Sequence, residues 1–426
     1  MFKKTFIRIL LSAMELLLLL YALLIVNIYA LVGSSAFPDV ILFDGDGWEL
    51  MPVILFALIL ILIFIIVKDL GARYVILWRQ NFSLVIFLIV AVLSLTWSVY
   101  LDASLYKLVF LFFATAMGAY ICVRFGLEGS IEILTWVAVL GVALSILALL
   151  FLPSAIMYNP PYVGSWRGIF WHRNHAGNIW AYFNAIFLFR LLYSTGWSVI
   201  RRIFDFAFYL LSFVLVFGSR SATGIIVFLV LHLFLGLSFA WLRWHTYLRP
   251  WHYYLFIGIT TAFALIFFTN LEFFFGLLGR SATMTGRTPL WSDLIFNFWL
   301  PKPWLGYGYG ALWMQKSFRY LMMERQGWTL FPVFFADNGF LDILLNLGLA
   351  GFVPFVVLFV TRWYQGFSCA IQSKRWAVFF LPLTFTYVFI GNMAYSFLLE
   401  VDQFVWTILM IAVFLTSSFA RFPAKS

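Results

Sequence analysis

Charge and cysteine are what this chain has least of. Asp, Glu, Lys and Arg make up 10% of its 426 residues, against 64% hydrophobic ones, and there are 2 cysteines. So little charge cannot cover the surface of a soluble domain. Two cysteines, Cys122 and Cys369, argue against a structural disulfide and against a Cys-based metal site. The alternating pattern of an outer-membrane barrel is missing, and there is neither a tandem repeat nor a low-complexity linker. What abounds is apolar and aromatic: 52 Phe, 20 Tyr and 19 Trp, with a mean hydropathy of +1.00.

Apolar runs of roughly 17–25 residues recur along the chain, each able to cross a hydrocarbon core about 30 Å thick. Lipid offers no partner to the backbone, so such runs are expected to be helical. About twelve spans are expected, near 9–32, 51–67, 83–98, 105–122, 132–152, 176–193, 203–218, 222–241, 253–270, 338–361, 376–395 and 403–420. The expected fold is therefore an all-α polytopic membrane protein, one integral domain over residues 1–426, with a large loop at 271–337 carrying interfacial helices. The basic N-terminus (Lys3, Lys4, Arg8) precedes an apolar run reaching Val32. That is longer than the apolar part of a cleaved signal segment, so a retained first span is the better reading.

The net charge of +10 lies mostly in short loops, where it sets topology and does not call for nucleic acid. Lys3, Lys4, Arg8, Lys68, Arg73, Arg79, Arg124, Arg201, Arg202, Arg243, Arg249, Arg362, Lys374, Arg375, Arg421 and Lys425 fall on one face. The first loop, with Asp39, Asp44, Asp46 and Glu49, has no basic residue. Both termini are thus expected in the cytoplasm, and both cysteines fall on that side. The opposite face collects the loop 153–175, the turn at Ser219–Ser221, the segment 271–337 and the stretch from Asn392 to Asp402.

Six constellations on that face invite chemistry. Arg220 lies in GSRSATG, where small neighbours leave room for a ligand; a lone arginine there is either topological punctuation or functional. Arg287, in GRTPLW, has similar surroundings, and it can either bind an anion bidentately or pair with Asp293 or Asp337. GYGYG (Gly306–Gly310) is no phosphate-binding P-loop, since no Gly-Lys-Ser/Thr follows. Its glycines permit close backbone approach, and Tyr307 and Tyr309 offer faces for a sugar ring. WRGIFWHRNHAG holds Arg167, His172, Arg173, Asn174 and His175. These suit a polar ligand or ordinary interfacial packing better than a metal, because no third ligand is near. Asp337-Asn338-Gly339 opens an apolar run, so it reads as a helix cap or as a general base with its neighbour. An Asp44-Gly45-Asp46 pair resembles a metal–diphosphate pattern and is equally a solvated turn.

Together, GIFWHRNHAG, SRSATG, GRTPLW with PKPWLGYGYGALW, and DNGFLDILLNLGLAG resemble the O-antigen ligase and polymerase superfamily, specifically its exopolysaccharide polymerase (ExoQ-like) branch. Weaker matches are LTWS at Leu95–Ser98 and Asn392 with Glu400. The resemblance implies a GT-C-like, metal-independent, inverting membrane glycosyltransferase of the bacterial inner membrane. Its partners would be an undecaprenyl-diphosphate-linked glycan on the periplasmic side, the bilayer and a chain-length regulator or export complex. No cofactor is implied. Family roles carry over to Arg220 and Arg287 as diphosphate-holding residues, with Arg173 or Arg167 as a third. His172, Asn174, Tyr307, Tyr309 and Asn338 are the further substrate-binding candidates. The family commonly has His where this chain has Asp337, so either Asp337 serves as base or the base lies elsewhere and Asp337 only caps the helix. Polymerisation of repeat units is the leading expectation, and ligation of finished polymer to lipid A core or another acceptor is the alternative. A transporter of lipid-linked sugars is a third reading. It would call for paired charges deep in the membrane, where Glu15 is the only clear acidic residue.

Overall fold

Leucine, phenylalanine, valine and alanine in long succession leave the backbone no partner but itself, and the fold is accordingly built from helices. The computed structural model describes residues 75–158, 162–193, 198–244, 247, 287–327, 335–393, 395–398 and 404–421. The expected first, second and ninth spans, the loop with Asp44 and Asp46, Gly286 and Glu400 lie outside the described residues.

The helices are α1 (Phe82–Leu93), α2 (Leu101–Phe151), α3 (Arg173–Tyr193), α4 (Val199–Gly218) and α5 (Ala222–Trp244), followed by α6 (Arg287–Asp293) and α7 (Lys316–Arg325). The last three are α8 (Gly339–Ser373), α9 (Phe380–Asn392) and α10 (Phe404–Arg421). Two strands, β1 (Ile156–Met157) and β2 (Ser165–Trp166), form an antiparallel ribbon that pairs Ile156 with Trp166. The fold is thus not wholly α.

The expectation of about twelve spans in a GT-C-like bundle is overturned. Among the described residues three helices are long and apolar enough to cross a membrane, Leu101–Phe151, Ala222–Trp244 and Gly339–Ser373. Several expected spans are shorter apolar helices, namely Phe82–Thr96, Trp376–Asn392 and Phe404–Phe419. Two others, α3 and α4, carry Arg173 and Arg190, and Arg201, Arg202 and Asp205. The runs near 105–122 and 132–152 belong to one 51-residue element bent at Gly126, whose φ of 63° is not helical. Hydropathy alone counts apolar runs and sees neither helix length nor the joining of two runs at a bend.

α3 packs between α4 and α5, α10 lies against α2, and α8 contacts α1, α9 and α10. Small residues set the closest crossings, as expected where lipid and side chain are equally apolar. A Cβ added at Gly224 of α5 would stand 2.7 Å from the Gly177 carbonyl carbon of α3. One added at Gly118 of α2 would stand 2.5 Å from the Met410 Cβ of α10. Buried rings fill the spaces between: Tyr182 stacks on Tyr387 at 4.2 Å, and Trp406 on Phe87 at 5.4 Å.

α6 and the segment after it form a smaller core of their own, with Leu290, Leu294, Leu312, Trp313, Phe318 and Met322 gathered on Leu341 and Leu345 of α8. It is locked to α8 where that helix breaks at Gly348 (φ 57°, ψ −162°). The broken turn leaves peptide groups unpaired, and the loop supplies partners for them. Leu349 N–H donates to Pro303 O at 2.8 Å and Ala350 N–H to Trp304 O at 3.0 Å. Tyr307 N–H donates to Leu345 O at 3.1 Å and Gly308 N–H to Asn346 O at 2.8 Å.

The crossing of α3 and α5 yields a matched pair of substitutions. Gly224→Ala should lower the melting temperature in detergent, overpacking costing about 1–3 kcal/mol. Gly236→Ala, on the same helix with no atom within 4 Å of the added Cβ, should leave it unchanged or raise it. Equal effects at the two positions would show that the crossing is not tight.

Candidate functional site

The loop into α3, the turn between α4 and α5, the start of α6 and the start of α8 converge at one end of the bundle. Aromatic side chains join them. Trp171 touches His172, Phe335 and Tyr395 at 5.3, 5.6 and 6.3 Å, and His175 stacks on Tyr395 at 5.8 Å.

Arg287 and Asp337 form the centre. Arg287 Nε donates to Asp337 Oδ2 at 2.7 Å, and the guanidinium is largely buried, its side chain 8% exposed against 21% for the carboxylate. Of the two partners considered for Arg287, the structure selects Asp337. Asp293 instead takes a two-point contact from Arg325, at 2.8 and 2.5 Å. A guanidinium has five N–H donors, and Asp337 takes the Nε one. Trp291, one turn after Arg287, donates from Nε1 to Ala336 O at 2.6 Å, which ties α6 a second time to the same loop.

Asp337 does not cap α8. That role belongs to Asn338, whose Oδ1 accepts from Phe340 and Leu341 N–H, both at 3.1 Å. The cap uses the Asn338 amide oxygen, and the residue is half-buried. Asp337, with φ 54°, projects from a left-handed turn ahead of the cap. Arg220 has the same backbone geometry, φ 52°, directly after α4. Glycine is the usual residue there, and an L side chain costs about 1–2 kcal/mol. Strain held in this way is a common mark of functional positions.

Arg173 supports Arg220. Its NH1 donates to Arg220 O at 2.9 Å, and its guanidinium lies 4.5 Å from the centre of the Tyr162 ring. Ser221 Oγ links the turn to Asn174 Oδ1 at 3.0 Å and receives Gly224 N–H at 3.2 Å. Arg220 itself is exposed, with NH1 3.4 Å from Val163 O. Arg167 donates to Ser154 O at 2.6 Å and Trp171 O at 3.0 Å, so it braces the loop backbone.

His172 accepts Asn174 N–H at its Nδ1, at 3.2 Å. In the neutral ring this puts the proton on Nε2. Burial, followed by the charges of Arg173, His175, Arg287 and Arg167, pushes its pKa down to about 3. The imidazole is a neutral donor at physiological pH and adds no charge to the arginine cluster.

The tyrosines of GYGYG lie elsewhere. Tyr309 is fully buried, its N–H bound to Ser94 Oγ at 3.0 Å. Tyr307 donates its hydroxyl to Phe298 O at 3.0 Å, under Lys302 at 4.7 Å. Gly306, Gly308 and Gly310 have positive φ, and a Cβ at each would also strike Leu345 O, Ser98 and Lys107. The backbone of this loop is bonded into the break of α8, and Tyr309 is consumed in the core. The sequence reading passed over Asp342 and Tyr162, and took Trp313 for a stacking face. Asp342 is 1% exposed and accepts Trp313 Nε1 at 2.6 Å. Its signal was a carboxylate one turn after Asn338 inside an apolar helix. Among the described residues no group of three His, Cys, Asp or Glu is placed to hold a metal.

A depressed imidazole pKa means that the unfolded chain takes up the proton more readily than the folded one. The stability His172 contributes is therefore full above about its ordinary 6.5 and is lost as pH falls toward about 3. His172→Gln should leave the activity profile between about pH 5 and 8 unchanged in shape and should flatten the acid decline of the melting temperature. A shift of the acid limb of activity in that variant would mean that the imidazole titrates within the working range.

A family described as O-antigen ligase matches residues 207–356, a stretch containing Arg220, Arg287 and Asp337. The exopolysaccharide production protein ExoQ of Rhizobium meliloti (strain 1021) is 28% identical over 123 residues. That alignment covers 28% of this chain and 27% of the relative, about a quarter of its length. The apolar helices and the family match together identify a membrane protein. The chain has a weak, family-level likeness to the O-antigen ligases and to ExoQ-like exopolysaccharide proteins.

Proposed function

We propose that this protein is an inner-membrane glycosyltransferase that moves a glycan from a polyprenyl diphosphate, of the undecaprenyl type, to an acceptor hydroxyl on the periplasmic face. The observation that carries the reading is the Arg287–Asp337 contact at 2.7 Å, set among Arg173, Arg220 and a neutral His172. A diphosphate needs cationic donors in a site of low dielectric, and an acceptor hydroxyl needs a base beside them.

In the proposed reaction the acceptor oxygen attacks the anomeric carbon, and the bond from that carbon to the diphosphate oxygen breaks. The bonding pair leaves with the lipid diphosphate, and the hydroxyl proton passes to Asp337. Arg220 and the terminal nitrogens of Arg287 face the growing negative charge. Base and clamp are coupled, because protonating Asp337 weakens its hold on Arg287 just as the leaving group gains charge. Attack from the opposite side of the sugar gives inversion. The diphosphate linkage is already activated, so this step consumes no nucleotide.

The family match favours ligation, transfer of assembled polymer to another acceptor, over polymerisation as the reading. Polymerisation remains the second reading on the likeness to an exopolysaccharide production protein. Both share the donor side, and both have termini in the cytoplasm on the positive-inside argument.

Arg220→Gly separates function from fold. Glycine relaxes the left-handed turn while removing the guanidinium, so the melting temperature should hold or rise. Transfer of glycan extracted on its lipid carrier from a strain lacking this protein should fall by about 10²–10³-fold. Asp337→Asn should stop turnover with the fold intact. Normal transfer by either variant would sink the corresponding role.

A further inference from the structure

We infer that Asp342 is a positioning residue, holding the Asp337 carboxylate in place through the backbone of Ala336. The inference rests on the reading of Asp337 as base. A carboxylate buried to 1% exposure is costly, and an apolar residue of the same size would serve packing better. What Asp342 touches accounts for its presence. Oδ1 accepts Trp313 Nε1 at 2.6 Å and Ala336 N–H at 3.3 Å. Ser396 and the charge of Lys107 on α2 also act on the carboxylate, whose Oδ2 is buried with no hydrogen-bond partner.

These contacts end on the peptides flanking Asp337. Ala336, just before it, is held by its N–H to Asp342 and by its carbonyl to Trp291 Nε1 at 2.6 Å. Asn338, just after it, is held by its N–H to Ser396 Oγ at 3.0 Å. Asp342 and Ser396 thus grip both sides of a residue whose own φ of 54° a free loop would relax. Trp291 stands one turn after Arg287, so the second strut starts from the helix that carries the ion-pair partner. Asp342 stands one turn after Asn338 and reaches back from the helix to the loop before it. Trp313 connects the grip to the GYGYGALW segment, which is itself pinned in the break of α8.

The test compares Asp342→Ala, Asp342→Asn, Trp291→Phe and Asp337→Asn in full-length protein, using the lipid-linked glycan extracted from a strain lacking it. Loss of register at the base should lower kcat for Asp342→Ala by about 10²-fold and leave the KM for the glycan within about twofold, because donor contacts lie on Arg220 and Arg287. Asparagine offers the same oxygen to Trp313 and Ala336, so Asp342→Asn should retain kcat within about threefold, a rescue that a purely electrostatic role would not show. Wild-type kcat in the alanine variant overturns the inference, as does an asparagine variant as poor as alanine. If the alanine variant does not yield folded protein, Trp291→Phe decides. It removes the other bond to Ala336 while keeping a ring, and should lower kcat with KM unchanged, whereas wild-type kcat overturns the inference. Turnover by Asp337→Asn would sink the base reading itself, whereas an inactive Asp337→Asn beside a fully active Asp342→Ala sinks this inference alone.

Discussion

A helix that breaks inside an apolar bundle releases peptide groups that no water reaches, and each one left unpaired costs about 1–3 kcal/mol. The break at Gly348 of α8 is such a place, and most of what surrounds the site follows from how it is repaired. Residues 303–308 lay their backbone into the gap and exchange four hydrogen bonds with α8. Trp97 Nε1 donates to Leu305 O at 3.0 Å and Val99 N–H to Tyr307 O at 3.0 Å, binding the turn before α2 to the same loop. A polar segment outside the helices thereby becomes as rigid as the helices. Trp313 and α6 inherit that rigidity, and through them so do the peptides around Asp337.

Gathering several arginines at one point is unfavourable unless something offsets their repulsion. Three devices do so here. Asp337 neutralises Arg287. Arg173 spends a donor on the Arg220 carbonyl and leans on the Tyr162 face. His172 stays neutral because burial and those same charges oppose its protonation. The remaining positive field is concentrated around Arg220, the exposed member of the set. The positive φ at Arg220 and Asp337 fits this arrangement, since both side chains are aimed by backbone geometry that neither residue prefers.

Residue type and order made Arg220, Arg287 and Asp337 stand out, because charged groups are too expensive in an apolar chain to be incidental. The choice between Asp337 and Asn338 as cap was not legible, since both residue types cap well; the backbone settled it by turning Asp337 outward. GYGYG misled for a physical reason. Glycines that admit a ligand and glycines that admit another backbone look alike in sequence, and here the neighbours are Leu345, Ser98 and Lys107. Tyr309, read as a stacking face, is consumed in the core for the same reason. The span count failed because composition cannot tell a membrane-length helix from a shorter one packed beside it, nor see a bend such as Gly126. Asp342 was passed over because its meaning depends on Ala336 and Trp313, which only folding brings to it.

The accuracy of the site also depends on the far end of α3. From Arg173 to Arg190 that helix rises about 26 Å. Arg190 is fastened there to Glu132 of α2 at 2.7 Å and to buried Asp205 of α4 at 3.2 Å, with Arg201 sharing Glu132 at 2.6 Å. Midway, Asn184 donates to Tyr209 O and Ser212 Oγ, and Tyr182 bonds Thr384 of α9 at 2.9 Å. At the near end Gly177 meets Gly224 with no side chain between them. A slip of one residue along the axis would move Arg173 by about 1.5 Å and break the ion pairs, the Tyr182 bond and the glycine crossing together. No single contact sets the register; agreement among contacts at both ends and the middle does. The carbonyl that Arg173 holds, and hence the direction in which Arg220 points, is in this way determined partly by charges on the opposite side of the bundle.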